Sequence, residues 1–341
     1  MLLQLSSSPY AGKGNLHRRR SLAAAMLAAG AACLLVLSGA LSISSALAQD
    51  VDGPQSASLV NDTARILAGL RPHPSSPLAS VADSPGFTGH ARDMSNAWDT
   101  LERQRLSRMR LWSSSNLPGR NSSRPVYYPF SGADFLHLYT FYPSSPTYAM
   151  CGLEPVGAVP ILSGIGSDQL AGGLAQVRGS LNSLLRYSYF MTKEMRADFG
   201  GNRFGGVTPV LLLMLARNGC EVKELSYVSL NANGTVSAAG RGRGNGVRII
   251  FRGRGGTQEL LYFNYNLSGG ASSYVNLMRQ RGLGQTYLKA ASYLMHGGSF
   301  NGIREGIFAN SYSILQDDSG IPYRYFLQHP GWKLQFFGNY T

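Results

Sequence analysis

The sequence predicts an α+β protein, a single globular domain in which an antiparallel β-meander is flanked by helices. Residues 222–267 alternate polar and apolar side chains and are interrupted by turn residues, as strands joined by tight turns are. The segments on both sides of them repeat apolar residues at helical spacing. Helices that precede and follow a run of strands indicate the α+β class.

The chain is expected to begin with an export signal at residues 1–48, because Arg18–Arg20 precede a long apolar run that ends in Ala46-Leu47-Ala48. Cleavage after Ala48 would release a secreted or periplasmic protein. The arginines, followed by Ser21-Leu22, also match part of a twin-arginine signal, so the export route stays open. If it is not cleaved, the run of roughly 20 apolar residues would instead hold the protein to a membrane.

Residues 49–89 are rich in Ser, Pro, Ala and Gly and show no sustained period, so they are expected to form a flexible tether before a globular domain at 90–341. Removal of the signal leaves 27 basic and 18 acidic residues, a net charge of +9. Outside the cytoplasm this charge favours an anionic envelope polymer or glycan as partner rather than nucleic acid. Solubility alone is the alternative explanation.

The first predicted elements surround an aromatic-rich segment. A helix of about 20 residues is expected from Asp93. A short helix follows from Phe135, capped by Ser131 or Asp134, because short polar side chains accept the free N–H groups of a first turn. Residues 147–156 resemble a strand.

Two further helices and four strands complete the centre of the chain. The helices are expected from Ser167 or Asp168 to about residue 198, and from Thr208-Pro209 to Arg217. Asn233-Gly234 is a strong hairpin signal. The four strands of the meander are expected at 222–230, 235–239, 247–252 and 257–267. Helices are then expected at 274–281, 285–295 and 300–311.

Cys151 and Cys220 are the cysteines that remain after signal cleavage, and an even count in an oxidising compartment favours a disulfide between them. Such a bond would stabilise the fold by roughly 4 kcal/mol in the chain-entropy model. Two buried free thiols are the alternative.

The most chemistry-like segment is LQDDSGIPYRYF, residues 315–326. Asp318-Ser319-Gly320 matches the short motif of aspartic proteases, but that chemistry needs a second carboxylate about 3 Å away, and neighbouring Asp317 points elsewhere in a strand or helix. A turn held by Asp317 or Asp318 is favoured, followed by a strand that Tyr323, Tyr325 or Phe326 anchors in the core.

The histidines show no metal-ligand spacing, and no nucleotide-binding or nucleophile-elbow motif is present, so neither a metal nor a cofactor is predicted. Asp134 and His137 remain as possible acid or base groups beside Asp317 and Asp318. The glycine-rich turns 240–246 and 252–256 carry four arginines that would form one positive edge for an anionic ligand. These are Arg241, Arg243, Arg252 and Arg254.

Three segments, YYPFSGADFLHLYTFYP, CGLEPVG and LQDDSGIPYRYF, occur in an order that resembles an uncharacterised family of exported bacterial proteins. The resemblance runs from about Trp98 to the end of the chain. It implies export and a shared fold, and it carries no activity, substrate or catalytic residue.

The sequence therefore predicts a protein that binds an envelope or extracellular ligand without catalysis, through aromatic and basic surfaces. The alternative is a hydrolase of an envelope polymer that uses carboxylate and histidine groups. A cleft that joins residues 131–137 to residues 315–326 would favour the second function.

Overall fold

A computed structural model of the chain describes residues 55–117, 119–187, 204–289, 294–317, 320–329 and 333–336. All of them fall within one compact unit of the chain. The expected signal segment and its cleavage site at Ala48 lie outside these residues, as does Asp318.

A mixed β-sheet forms the centre of the described structure. Its strands are β1 (Val126–Tyr128), β2 (Thr147–Gly152), β3 (Glu221–Leu230), β4 (Val236–Ala238), β5 (Gly246–Gly253), β6 (Gly256–Asn264), β7 (Gly284–Leu288), β8 (Ser311–Gln316) and β9 (Lys333–Phe336). They lie side by side in the order β4-β3-β5-β6-β2-β1-β7-β8-β9. The first four pair antiparallel, whereas β6, β2, β1, β7, β8 and β9 are parallel neighbours.

Helices cover both faces of the sheet. They are α1 (Ala57–Leu67), α2 (Pro85–Leu101), α3 (Ser107–Asn116), α4 (Phe135–Phe141), α5 (Ser167–Tyr187), α6 (Val207–Arg217), α7 (Ser272–Arg281), α8 (Asn301–Asn310) and α9 (Tyr323–Phe326). A π-helical segment, Glu102–Leu106, joins α2 to α3. Shorter 3₁₀ turns lie at Ala79–Asp83, Leu294–His296 and Gly298–Phe300.

The core consists of two hydrophobic clusters, one on each face. Successive strand residues point to opposite faces, so Met150 belongs to one cluster and Cys151 to the other. Helices α1 to α6 contribute buried residues to the first cluster, and α7 to α9 contribute to the second. The described part of the chain therefore has three layers, helix, sheet and helix.

The prediction of one domain that combines helices with a sheet is confirmed, but the prediction of an antiparallel meander as its sheet is wrong. Strand β5 pairs with β3 instead of β4, because the ten-residue β3 offers one edge to β4 and the other to β5. Strand β6 then continues into a parallel half of the sheet by pairing with β2. The expected helix at 285–295 is also wrong, since its first residues form the fully buried strand β7.

The expected tether is wrong from residue 55 onward, and residues 49–54 lie outside the described chain. Helix α1 occupies its centre and buries Val60, Ile66 and Leu67 against the first cluster. The Ser56 side chain accepts the N–H of Leu59 and caps the helix. The sequence analysis missed this helix because its apolar residues alternate with many small and polar ones.

The expected disulfide is contradicted, because Cys151 and Cys220 are unbonded and buried. Cys151 belongs to the second cluster and Cys220 to the first, so they lie on opposite faces of the sheet. The Cys151 thiol lies 3.3 Å from the carbonyl oxygen of Tyr265 instead.

In residues 315–326, Leu315 and Gln316 end β8 and Tyr323–Phe326 form the helical turn α9, so the expected strand in the second half of this segment is wrong. The side chain of Gln316 holds the segment by bonding both the N–H and the carbonyl of Ile321, at 2.8 and 3.0 Å. Phe326 does anchor it in the core, where its ring centroid lies 5.1 Å from that of Phe308.

Candidate acid–base site

The parallel half of the sheet changes its winding direction between β1 and β7. The chain leaves β1 toward α4 on one face, and it leaves β7 toward α8 on the other. The two connections therefore diverge at the carboxyl ends of these adjacent strands. In proteins with open parallel sheets, ligands generally bind at such a point.

The loop after β1 brings Asp134 to the carboxyl ends of these strands. Phe130 and Gly132 both have positive φ, at 62° and 51°, and they turn the chain sharply out of the strand. Asp134 then caps α4, because its Oδ1 accepts the backbone N–H of His137 at 3.3 Å. The cap and one turn of helix place Asp134 and His137 side by side.

Asp134, His137 and Lys289 form one buried group, here called the acid–base cluster. Their exposed fractions are 2%, 2% and 7%. His137 Nδ1 lies 2.7 Å from Asp134 Oδ1, and Lys289 Nζ lies 3.3 Å from Asp134 Oδ2. Lys289 follows β7 directly and stands 155 positions along the chain from Asp134. The Tyr128 hydroxyl donates to the same Oδ2 at 3.2 Å.

The hydrogen on the imidazole of His137 is located by its neighbours. Lys289 Nζ also approaches Nδ1, at 2.9 Å, but a neutral ring nitrogen cannot donate to the carboxylate and accept from the ammonium at once. The shorter contact is to an oxygen that can only accept, so the hydrogen is on Nδ1. Nε2 is then an acceptor, and it is a buried atom with no hydrogen-bond partner among the described residues.

The pKa values of the acid–base cluster separate its three groups. Burial alone would raise the pKa of Asp134, but its electrostatic interactions with His137 and Lys289 and the hydrogen bonds from His137 outweigh burial and lower that pKa. Burial lowers the pKa of His137 against the opposing charge of Asp134. Burial likewise lowers the pKa of Lys289, again opposed by Asp134. At neutral pH we assign an ionised Asp134 and a neutral imidazole.

Two charged residues lie around the cluster. Arg105, in the π-helical segment, lies close enough for its charge to lower the pKa values of His137 and Lys289. Asp317, directly after β8, lies close enough for its charge to raise the pKa of Lys289. Single-turn π-helical insertions in α-helices occur frequently at functional sites.

The structure thus brings together three of the four acid or base candidates found in the sequence. Asp134 and His137 are in contact, and Asp317 joins them electrostatically through Lys289. The fourth, Asp318, lies outside the described residues. Sequence reasoning missed Lys289, because the strand before it was predicted to be a helix and its partner Asp134 lies 155 positions away in the chain.

The four arginines do not form one positive edge. Arg241 and Arg243 precede β5, whereas Arg252 and Arg254 lie at its other end. An eight-residue strand separates the pairs by about 25 Å at 3.3 Å per residue. The prediction of a single edge is therefore wrong, and binding of a ligand at either pair stays a prediction.

In the described ranges no group of three or more His, Cys, Asp or Glu side chains is placed to hold a metal ion. No helix of this part of the chain is long and apolar enough to span a membrane.

The fold and the site together define a three-layer protein with a buried acid–base cluster at the switch point of a mixed sheet. A scan against protein-family models, a search of curated proteins and a search of solved structures each found no match.

Proposed function

We propose that the protein is a hydrolase in which Nε2 of His137 acts as a general base. One observation carries this proposal: the imidazole is oriented by a carboxylate through Nδ1, while Nε2 is buried and has no hydrogen-bond partner in the described chain. A buried polar atom without a partner is unfavourable unless a ligand or water completes it.

Each member of the cluster has a separate role. Asp134 fixes the tautomer and stabilises the imidazolium that forms when His137 takes a proton. Lys289 supplies a positive charge beside the ring, suited to stabilising the oxyanion that develops when water attacks a carbonyl. Among the described residues, Tyr128 supplies the hydroxyl that is hydrogen-bonded to the cluster. Burial, and after it the charge of Asp134, raises the pKa of this hydroxyl. This hydroxyl donates to Asp134 Oδ2 and not to Nε2 of His137, so it is not placed for the base to activate it, and we take water as the nucleophile.

The substrate class follows from this chemistry and from the expected export of the chain. A base, an oxyanion-stabilising cation and a water nucleophile suit the hydrolysis of an ester or amide bond. An exported protein meets such bonds in acylated or peptide-bearing polymers of the cell envelope. This proposal takes up the hydrolase of an envelope polymer that the sequence left as the alternative, and it assigns the main roles to His137 and Lys289.

Binding without catalysis is the competing function that the sequence favoured. Under that function the acid–base cluster would only stabilise the fold, and replacing His137 would weaken folding without removing any turnover. The cavity described in the next subsection is the observation that favours ligand binding, so the two functions need an experiment that separates them.

The test is a hydrolysis screen of the purified protein against chromogenic esters and amides and against envelope polymers. His137→Gln is expected to lower turnover by at least about 100-fold, which is the usual contribution of a general base. His90→Gln makes the same substitution at another buried histidine, outside the cluster. It is the matched control and should keep its turnover.

The pH dependence supplies a second criterion. Turnover should rise as pH increases through the pKa of His137 and fall as pH passes that of Lys289. The rise should lie below pH 6.5, the ordinary pKa of histidine, and the fall below pH 10.5, the ordinary pKa of lysine, because both pKa values are lowered. Equal turnover in His137→Gln and His90→Gln would contradict the proposal.

Export remains a proposal that rests on the sequence alone. N-terminal sequencing of secreted material should give Gln49 as the first residue. Recovery of the protein in the cytoplasm with residues 1–48 intact would contradict it.

A further inference from the structure

A second feature at the same edge of the sheet is an open cavity of about 640 Å³. Residues 155–158, shortly after β2, line it together with Asn264 at the end of β6. Cavities of roughly 300–1,000 Å³ hold most small-molecule ligands. We call this space the Arg241 cavity.

Backbone forms much of its wall. Gly157 has φ +70, and a Cβ there would lie only 2.2 Å from the carbonyl oxygen of Gly205. This contact packs residues 155–158 directly against the start of α6. The side-chain amides of Asn245 and Asn264 already bond the backbone of the wall. Asn245 Oδ1 accepts from Leu230 N at 2.9 Å, and Asn264 Nδ2 donates to Glu154 O at 3.0 Å.

Tyr227 and Arg241 line the cavity with hydrogen-bond donors that are available to a ligand. The Tyr227 hydroxyl accepts the N–H of Val159 at 3.1 Å and keeps its own hydrogen for another acceptor. Arg241 is exposed and forms no ion pair or hydrogen bond in the part of the chain that the structure describes. Burial raises the pKa of Tyr227, and the opposing charge of Arg241 shows that the two groups are close.

We infer that the Arg241 cavity binds an anionic sugar, a saccharide that carries a carboxylate or a phosphate. The Arg241 guanidinium would bind the anion, because its planar donors match both groups. The half-buried ring of Tyr227 offers a face on which a sugar ring can stack, and its hydroxyl can donate to an oxygen. This binding site does not depend on the proposed catalysis.

The test is calorimetric titration of the purified protein with D-glucuronate, glucose 6-phosphate and uncharged D-glucose. At least one anionic sugar is expected to bind measurably and about tenfold or more tightly than glucose. Binding of glucuronate alone would point to acidic polysaccharides, and binding of the phosphate alone to phosphorylated glycans. Repeating the titration with His137→Gln separates binding here from turnover at the acid–base cluster.

Arg241→Gln should weaken the binding of the anionic sugar by about tenfold or more. Arg243→Gln is the matched control, since it removes the same charge from the same turn but Arg243 does not line the cavity. Absence of binding by both anionic sugars, equal affinity for glucose, or equal losses in the two arginine variants would each overturn the inference.

Discussion

Within the acid–base cluster, the opposite charges of Lys289 and Asp134 stabilise each other. Each is buried, and neither charge is tolerable there without the other, because burial disfavours the ionised state of both groups. Their contact therefore matters both to stability and to the state of His137. The geometry makes the pair a single energetic unit, which mutation can test.

The first prediction is a double-mutant cycle with Asp134→Asn and Lys289→Met. Each single variant leaves one buried charge without its partner and should lower the free energy of unfolding by about 3 kcal/mol. The double variant should lose about 2 kcal/mol less than the sum. Asn keeps the cap of α4, so loss of the cap does not confuse the comparison. Urea denaturation at pH 7 measures all four proteins, and additive losses would contradict the coupling.

The second prediction compares two glycines with nearly identical backbones. Gly157 and Gly164 have φ +70 and +69, so alanine at either costs about 1 kcal/mol in a left-handed conformation. A Cβ at Gly157 would also meet the backbone of Gly205, whereas one at Gly164 meets nothing within 4 Å. Gly157→Ala should therefore lose about 2 kcal/mol more in chemical denaturation. Equal losses would show that residues 155–158 do not pack as described.

At the scale of elements, the helices α1, α2 and α5 meet around His90. Its Nε2 donates to the carbonyl of Leu67 at 2.9 Å, and its Nδ1 accepts from Arg178 Nη1 at 3.0 Å. Burial lowers the pKa of His90 to about 4, and the charges of Arg178 and Arg217 add to this. The histidine therefore links the three helices only while it is neutral.

The third prediction is a loss of stability in weak acid. The folded-state pKa lies below the ordinary value of 6.5, so the folded chain binds this proton less readily than the unfolded chain. The stabilisation is complete above pH 6.5 and is lost as pH falls toward 4, by about 3 kcal/mol in total. His90→Gln should flatten the unfolding free energy in this window. Replacement of the exposed His73 by Gln is the control, and an unchanged slope in His90→Gln would contradict the account.

The elements that sequence predicted well are those with a long period or a strong local signal. The cap at Asp134, the hairpin at Asn233-Gly234 and helix α6 depend on neighbouring residues, and all three appear as expected. Strand β7 did not, because five buried residues that alternate weakly can form a helix or a strand equally well. Its identity is decided by pairing with β1 and β8.

At the scale of the whole molecule, the parallel half of the sheet joins segments that are far apart in the chain. Thr147 pairs with Glu259, and Val126 pairs with Gln285. No local pattern specifies such partners, so neither the sheet order nor the meeting of Lys289 with Asp134 could be predicted. Asp134 and His137 could be, because one helical turn brings them together.

The fourth prediction concerns the cysteines of the chain from Gln49 onward. Two free thiols should be titrated after unfolding without reductant, because Cys151 and Cys220 lie on opposite faces of the sheet. Reductant should leave the free energy of unfolding unchanged. A titration that finds no thiol, with a loss of roughly 4 kcal/mol on reduction, would restore the disulfide.

Whether His137 can act as the base depends on its protonation state, which ¹⁵N NMR of the imidazole at pH 7 measures. His137→Gln identifies the signals by their disappearance. We predict a neutral ring with the hydrogen on Nδ1 and an unprotonated Nε2, which stays so as pH falls below 6.5 because the pKa of His137 is lowered. A ring with hydrogen on Nε2, or one doubly protonated at pH 7, would show that His137 cannot act as the base and would contradict the account.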